Sequence, residues 1–257
     1  MQTAEGSVPS DHLLSSGDTI AAPQPVKPQP QPKPKPQSSS APVKLVTSIP
    51  VDRRRVLADD YQEALRSGSA ATKSFLHVHP EIIGNTLGRN FAIVFTRYSA
   101  GANLAFDFVV VTAPQWYELY QVILVDPKTI PFDATGSPTP ALQAALTQAQ
   151  LSRKRWLDAR STISRDLAEG VRQIEEQFVT VYGEDIRSGD WYRSPEYLAG
   201  SLEGLSIASD RTIIVIGRRD SYRRLQEQGR AALRQANPDI EIVSFDALAS
   251  VLRDTDD

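Results

Sequence analysis

The chain has 257 residues, 40% of them hydrophobic, with 28 basic against 31 acidic side chains and a formal net charge of -3. That length and apolar content suffice for a full core, while the charge balance excludes recruitment of nucleic acid by a global basic field, so any such contact falls to local arginine clusters. The absence of cysteine excludes disulfides, zinc–thiolate sites and thiol nucleophiles together.

Residues 1–48 read as a disordered tail and 49–257 as one α/β domain. Prolines crowd between Pro23 and Pro42 in alternation with Gln and Lys. Each fixes φ and removes a backbone donor, which favours extended polyproline II over a packed core. Such a segment is a spacer or a ligand for an aromatic-lined groove on a partner protein. The start, Met1-Gln2-Thr3-Ala4-Glu5, has neither the basic residues nor the apolar stretch of a signal peptide. No run reaches the roughly 18 apolar residues of a membrane helix. The expectation is a cytoplasmic protein without membrane contact.

Val56, Leu57, Tyr61, Ala64 and Leu65 share one face of a helix predicted over Asp52–Ser67, with Gly68 as its stop. A second helix is expected from Ala71 to Val78, ending at His79-Pro80. Phe91–Tyr98 alternates as a strand. Leu104–Thr112 is a nearly continuous apolar run, as in a strand buried on both faces, and only Asp107 interrupts it. Trp116–Val125 is a third strand, ending at Asp126-Pro127. Ile130–Pro140 is a loop on its prolines and Gly136. From Ala141 a long helical region follows, with Ile163, Leu167, Val171, Ile174, Phe178 and Val181 on a stripe that is core or the seam of a homo-oligomer. Asp185–Ser209 is irregular. Thr212–Ile216 is a buried strand, Ser221–Ala236 a helix, Ile240–Phe245 a last strand and Asp246 the cap of a short final helix. This order implies a mixed central sheet flanked by helices, with a C-terminal βαβ unit whose two strands are parallel.

Asp107 is the first chemical candidate, because a carboxylate in an apolar strand must be paired, hydrogen-bonded or metal-bound. Asp126 and Lys128 follow the next strand. Two carboxylates from neighbouring strand ends with a lysine suit phosphodiester cleavage: Asp107 and Asp126 as metal ligands for Mg²⁺, Lys128 orienting a water. This is the logic of PD-(D/E)xK nucleases, although Pro127 interrupts the strand that should present the acids. Arg218 and Arg219, directly after a strand, are a solvated turn or a phosphate contact, since guanidinium forks match phosphate oxygens. Glu63 and Glu81 read as solvated helix-face acids, His77 and His79 as polar helix-end residues, and Trp116, Trp156 and Trp191 as packing residues. His12 lies in the tail, so no three-histidine site is expected.

Several segments resemble the nuclease-like domain of the Shedu anti-phage defence proteins. Phe75-Leu76-His77-Val78-His79-Pro80-Glu81 is similar to that family's "FL…HPE", and Phe106-Asp107-Phe108-Val109 to its "DF" strand. Pro131–Leu142 is similar to its "LFTKSG-x-PS-x-AL" loop, with Gln148 and Trp156 near the glutamine and tryptophan that follow. Ile214–Arg219 is similar to "VIGRR" and Ile240–Leu248 to "IEILTYDDL". The resemblance implies a restriction-endonuclease-like fold, action on DNA, and a Mg²⁺ site if active. One departure stands out. The family's central strand carries "VE-[IL]-[KE]", and alignment on Pro127 and Phe132 places Val122-Ile123-Leu124-Val125 there. The expected carboxylate becomes Ile123, and the expected lysine or second acid becomes Val125. Either Asp126 and Lys128 take over, or the domain is a pseudonuclease, an interaction module that binds nucleic acid or a partner protein.

Overall fold

The computed structural model describes residues 41–88, 91–100, 104–112, 118–188, 194–204, 209–218 and 224–253. Trp116, Trp191 and Arg219 lie outside the described residues. Within them a six-stranded mixed sheet runs in simple sequence order. Strands β1 (Val43–Val46), β2 (Ala92–Ser99), β3 (Ala105–Thr112) and β4 (Glu118–Leu124) pair antiparallel; β5 (Ser209–Val215) and β6 (Ile240–Val243) extend the sheet in parallel. The expected βαβ unit is present, with α8 (Arg224–Ala236) connecting β5 to β6. An α/β fold with a mixed sheet flanked by helices is thus what the chain forms.

Helices cover both faces. One face carries α1 (Val51–Ser67), α2 (Ser69–Val78), α3 (Pro80–Gly88) and α9 (Phe245–Leu248), which bury Tyr61, Leu76, Ile82 and Phe245 with Val94, Phe108, Val110 and Val122 of the sheet. The other carries α4 (Pro140–Asp158), α5 (Arg160–Gln173), α6 (Glu175–Ser188), α7 (Pro195–Glu203) and α8, around Phe95, Val109, Ile123, Ile214 and Ile242. Away from Arg97 and Asp107, alternate residues of β2 to β6 therefore enter alternate cores, as the two-residue period of a strand demands.

Three differences from the sequence-based expectations share identifiable causes. First, Val43–Val46 lies in the stretch expected to be unstructured, yet it pairs with Ala92–Phe95 and Leu45 and Val46 are buried. Four residues beside a proline-rich stretch carry too little periodicity to register as a strand, so the domain starts earlier than residue 49.

Second, α3 and α7 were not expected: His79-Pro80 read as the end of a helix, and Asp185–Ser209 as irregular, yet Pro80 and Pro195 open helices. Each is the first residue of its helix, where the missing N–H is one of the orphan donors anyway. Ser194 caps α7, its side chain accepting from the Tyr197 amide at 3.2 Å.

Third, the long helical stretch divides at Ala159 and Ile174, whose ψ angles of 11° and 21° leave the helical region. A straight helix of that length would run about 70 Å, far beyond a small domain. The two breaks keep Ile163, Leu167, Val171, Ile174 and Phe178 on the chain's own core, whereas Val181 is exposed.

Candidate functional site

The site begins where β3 and β4 part. Their ladder runs from Thr112↔Glu118 to Phe108↔Val122. In that register the next pair would be Asp107 and Ile123, and Arg97 lies opposite Asp107 on β2, between the pairs Thr96↔Phe108 and Tyr98↔Phe106. Because Ile123 pairs with Ile214 and Ile214 with Ile242, one row crosses the sheet as Arg97, Asp107, Ile123, Ile214, Ile242. Its polar half is the candidate site; its apolar half belongs to the core.

Arg97 is what turns the polar half. Its φ of +53° is the only positive value at a non-glycine residue among those described. An L-residue there pays a steric cost and persists only where its surroundings hold it. Before it, Ile93 and Phe95 enter the core under α4–α8; after it, Tyr98 enters the same core, so the alternation slips by one. On β3, Phe106 likewise shares that core with Val109 and Val111. Arg97 and Asp107 are the residues left over, and both turn to α2.

There each group finds a defined partner. Asp107 Oδ2 accepts the Leu124 amide at 2.7 Å, taking the place of a ladder acceptor. Its Oδ1 lies 3.5 Å from Lys73 Nζ and 4.0 Å from His77 Nε2. Arg97 Nε donates to His77 Nδ1 at 3.2 Å. A ring nitrogen that accepts cannot carry the proton, so His77 is the Nε2–H tautomer. That Nε2–H is buried without a hydrogen-bond partner and faces Asp107. Burial and the neighbouring Arg97 charge hold the imidazole below its ordinary 6.5, against the opposing pull of Asp107, and keep it neutral. The His77 ring also lies 5.0 Å, centroid to centroid, from that of Phe108. Outside this cluster a cleft of about 310 Å³ is lined by Arg97, Tyr98, Ser99, Phe106, Asp107 and Gln148, the last an exposed residue of α4.

The remaining sequence candidates have other partners. Asp126 is two residues beyond β4, and its carboxylate closes its own turn by accepting the Lys128 amide at 2.7 Å. Its carbonyl accepts from Gly217, which ties the turn to the end of β5. Lys128 is exposed, with its Nζ near Gly68 ahead of α2. Arg218 binds the Asp246 carboxylate, at 2.7 Å from Nη2, and reaches Gln62; it joins α1 to α9. Glu63 is an exposed helix-face acid paired with Arg66, as expected. Glu81 corrects the reading given for it: it is 6% exposed and binds Lys44, Arg53 and His79. Burial alone would raise its carboxyl, but hydrogen bonds from its own amide and from Lys44 hold it below the usual carboxylate range. Trp156 packs edge-on to Phe106 as core. Lys73, His77 and Arg97 were not legible as site residues, since they come from a helix and a strand whose meeting no local pattern encodes.

The arrangement does not suit a divalent ion. Mg²⁺ is held by several oxygen ligands. Here one Asp107 oxygen is taken by a backbone amide, and the other faces an ammonium. Ile123, opposite it, is 4% exposed in the apolar core. Among the described residues no group of three or more His, Asp or Glu could hold a metal ion.

Residues 69–249 match the family model described as Shedu protein SduA, C-terminal, which is more than half of the chain. The chain belongs to the Shedu SduA family. That membership places it with anti-phage defence. The matched span encloses all the resembling segments from Phe75 to Leu248, and it includes β2 to β6 and the Arg97–Asp107 cluster. No curated protein matches the chain. Among the described residues no helix is long and apolar enough to cross a membrane.

Proposed function

We propose that this Shedu domain is a restriction-endonuclease-like module of anti-phage defence that binds DNA without cleaving it. The sheet order supports the nuclease-like ancestry: an antiparallel β2–β3–β4 meander bears a carboxylate on its middle strand, and helices then lead to a parallel β5. One observation carries the loss of cleavage. The Asp107 carboxylate is committed to the chain's own donors, Leu124 N–H and Lys73, while its cross-strand neighbour is Ile123. A metal-dependent site needs free carboxylate oxygens converging on one point. Asp126 gives one of its carboxylate oxygens, Oδ1, to the Lys128 amide, and it stands in the turn beyond the end of β4. The DNA-binding half of the reading rests on the exposed Arg97 in the cleft wall, on Lys73 beside Asp107, and on the family's role.

Incubation of the purified chain with linear and supercoiled DNA in Mg²⁺ or Mn²⁺ is the test. The expected result is intact DNA, with no heat of Mn²⁺ binding by calorimetry. Robust cleavage that Asp107→Asn abolishes would overturn the proposal.

A further inference from the structure

In a metal-dependent nuclease the divalent ion brings positive charge to a phosphate that carboxylates alone would repel. This chain keeps the carboxylate and puts a different cation beside it. Lys73 Nζ is 3.5 Å from Asp107 Oδ1, and its side chain is 34% exposed. An ammonium has three donors, and Asp107 engages one, which leaves two for a ligand. Arg97 spends only Nε on His77; among the described residues its terminal nitrogens take no partner, and the side chain is exposed on the wall of the cleft. Gln148 adds an exposed carboxamide across from it. Two cations, one anion and a neutral imidazole leave the cluster one charge positive. The backbone at Arg97 is held in a region that L-residues avoid, which is typical of a functional position.

We infer that the cleft grips a nucleic-acid phosphate without a metal ion, the Lys73 ammonium beside Asp107 supplying, together with Arg97, the positive charge that a divalent cation supplies in a nuclease. The inference rests on the non-cleaving, DNA-binding reading above and specifies its chemistry. It also accounts for the retention of Asp107. The carboxylate orients the ammonium and caps the open ladder at Leu124, tasks that need no metal.

Fluorescence anisotropy of a labelled DNA duplex with the full chain tests this, in EDTA and in Mg²⁺ at matched ionic strength. Equal affinity in the two buffers is expected. Lys73→Met should weaken binding about tenfold, the worth of one charge-assisted hydrogen bond, and reduce the slope of log K against log salt by about 0.9. Lys73→Arg should retain most of the affinity. Asp107→Asn should tighten binding, because it removes a negative charge beside the phosphate; a metal-mediated site would lose binding instead. Thermal melts confirm that each variant folds, and Lys73→Arg separates loss of charge from loss of packing. Binding that requires Mg²⁺, or that Lys73→Met leaves unchanged, would overturn the role of Lys73 and leave the DNA-binding reading standing. No binding in either buffer would overturn both.

Discussion

Asp107 Oδ2 receives the Leu124 amide at 2.7 Å, so a side chain completes a hydrogen-bond ladder that the backbone of β3 abandons. A buried amide without an acceptor costs more than the bond itself is worth in water. Asp107→Ala is therefore expected to destabilise the domain by about 2 kcal/mol. Asp107→Asn keeps an acceptor oxygen and should lose less. Urea denaturation of both variants checks the order; equal losses would show that the Leu124 bond contributes nothing.

Two glycines packed against the loop after β4 give a prediction of opposite sign to the usual one. Replacing a glycine inside a helix by alanine ordinarily stabilises it by about 1 kcal/mol. Gly229 in α8 is different, because a Cβ there would run into the carbonyl oxygen of Gly136. Gly217 has φ +67°, and its Cβ would meet Thr129 O at 2.5 Å, against the very turn that holds Asp126. Both alanine variants should lower the melting temperature, each by the equivalent of roughly 1–3 kcal/mol. A stabilised Gly229→Ala would show that the Asp133–Pro138 loop yields freely.

His77 should remain a neutral Nε2–H imidazole at pH 6.5 and somewhat below it, read from its ¹⁵N shifts. The sign for stability follows. The unfolded imidazole takes up a proton near its ordinary value of about 6.5, whereas the folded one resists it until lower pH. The unfolded state thus binds more protons in that interval, and stability falls as pH drops through it. His77→Gln should flatten this part of the profile, and an unchanged slope would count against the buried neutral ring.

Glu81 behaves in the opposite sense. Its folded carboxyl lies below the ordinary 4.5, so its contribution is complete above that value and disappears as pH falls through the lower folded one. Its partners Lys44 and Arg53 are about half exposed, which limits the gain from either pair. Glu81→Gln should cost about 1–2 kcal/mol near neutral pH and progressively less in acid. The test is chemical denaturation at both ends of the range; an equal loss at both would exclude the ionised carboxylate as the source.

The sequence by itself determined the α/β class, the parallel β5–β6 pair and the burial of β3 on both faces. Each of these lives in a local pattern: a two-residue or helical period, or a turn residue. It also marked Asp107 as unusual, because a charge in an apolar run is conspicuous wherever the strand goes. Tertiary structure alone decided what Asp107 does. Lys73 and His77 come from α2, Arg97 from β2, the Leu124 amide from β4 and Gln148 from α4, and no spacing in the chain announces that they converge. The same holds for Arg218, whose partner Asp246 is 28 residues away, and for Glu81, whose burial depends on where β1 and α1 pack. Hydrophobic periods specify which face of an element is buried, but the partner of a polar side chain is chosen by long-range packing, after the elements have met.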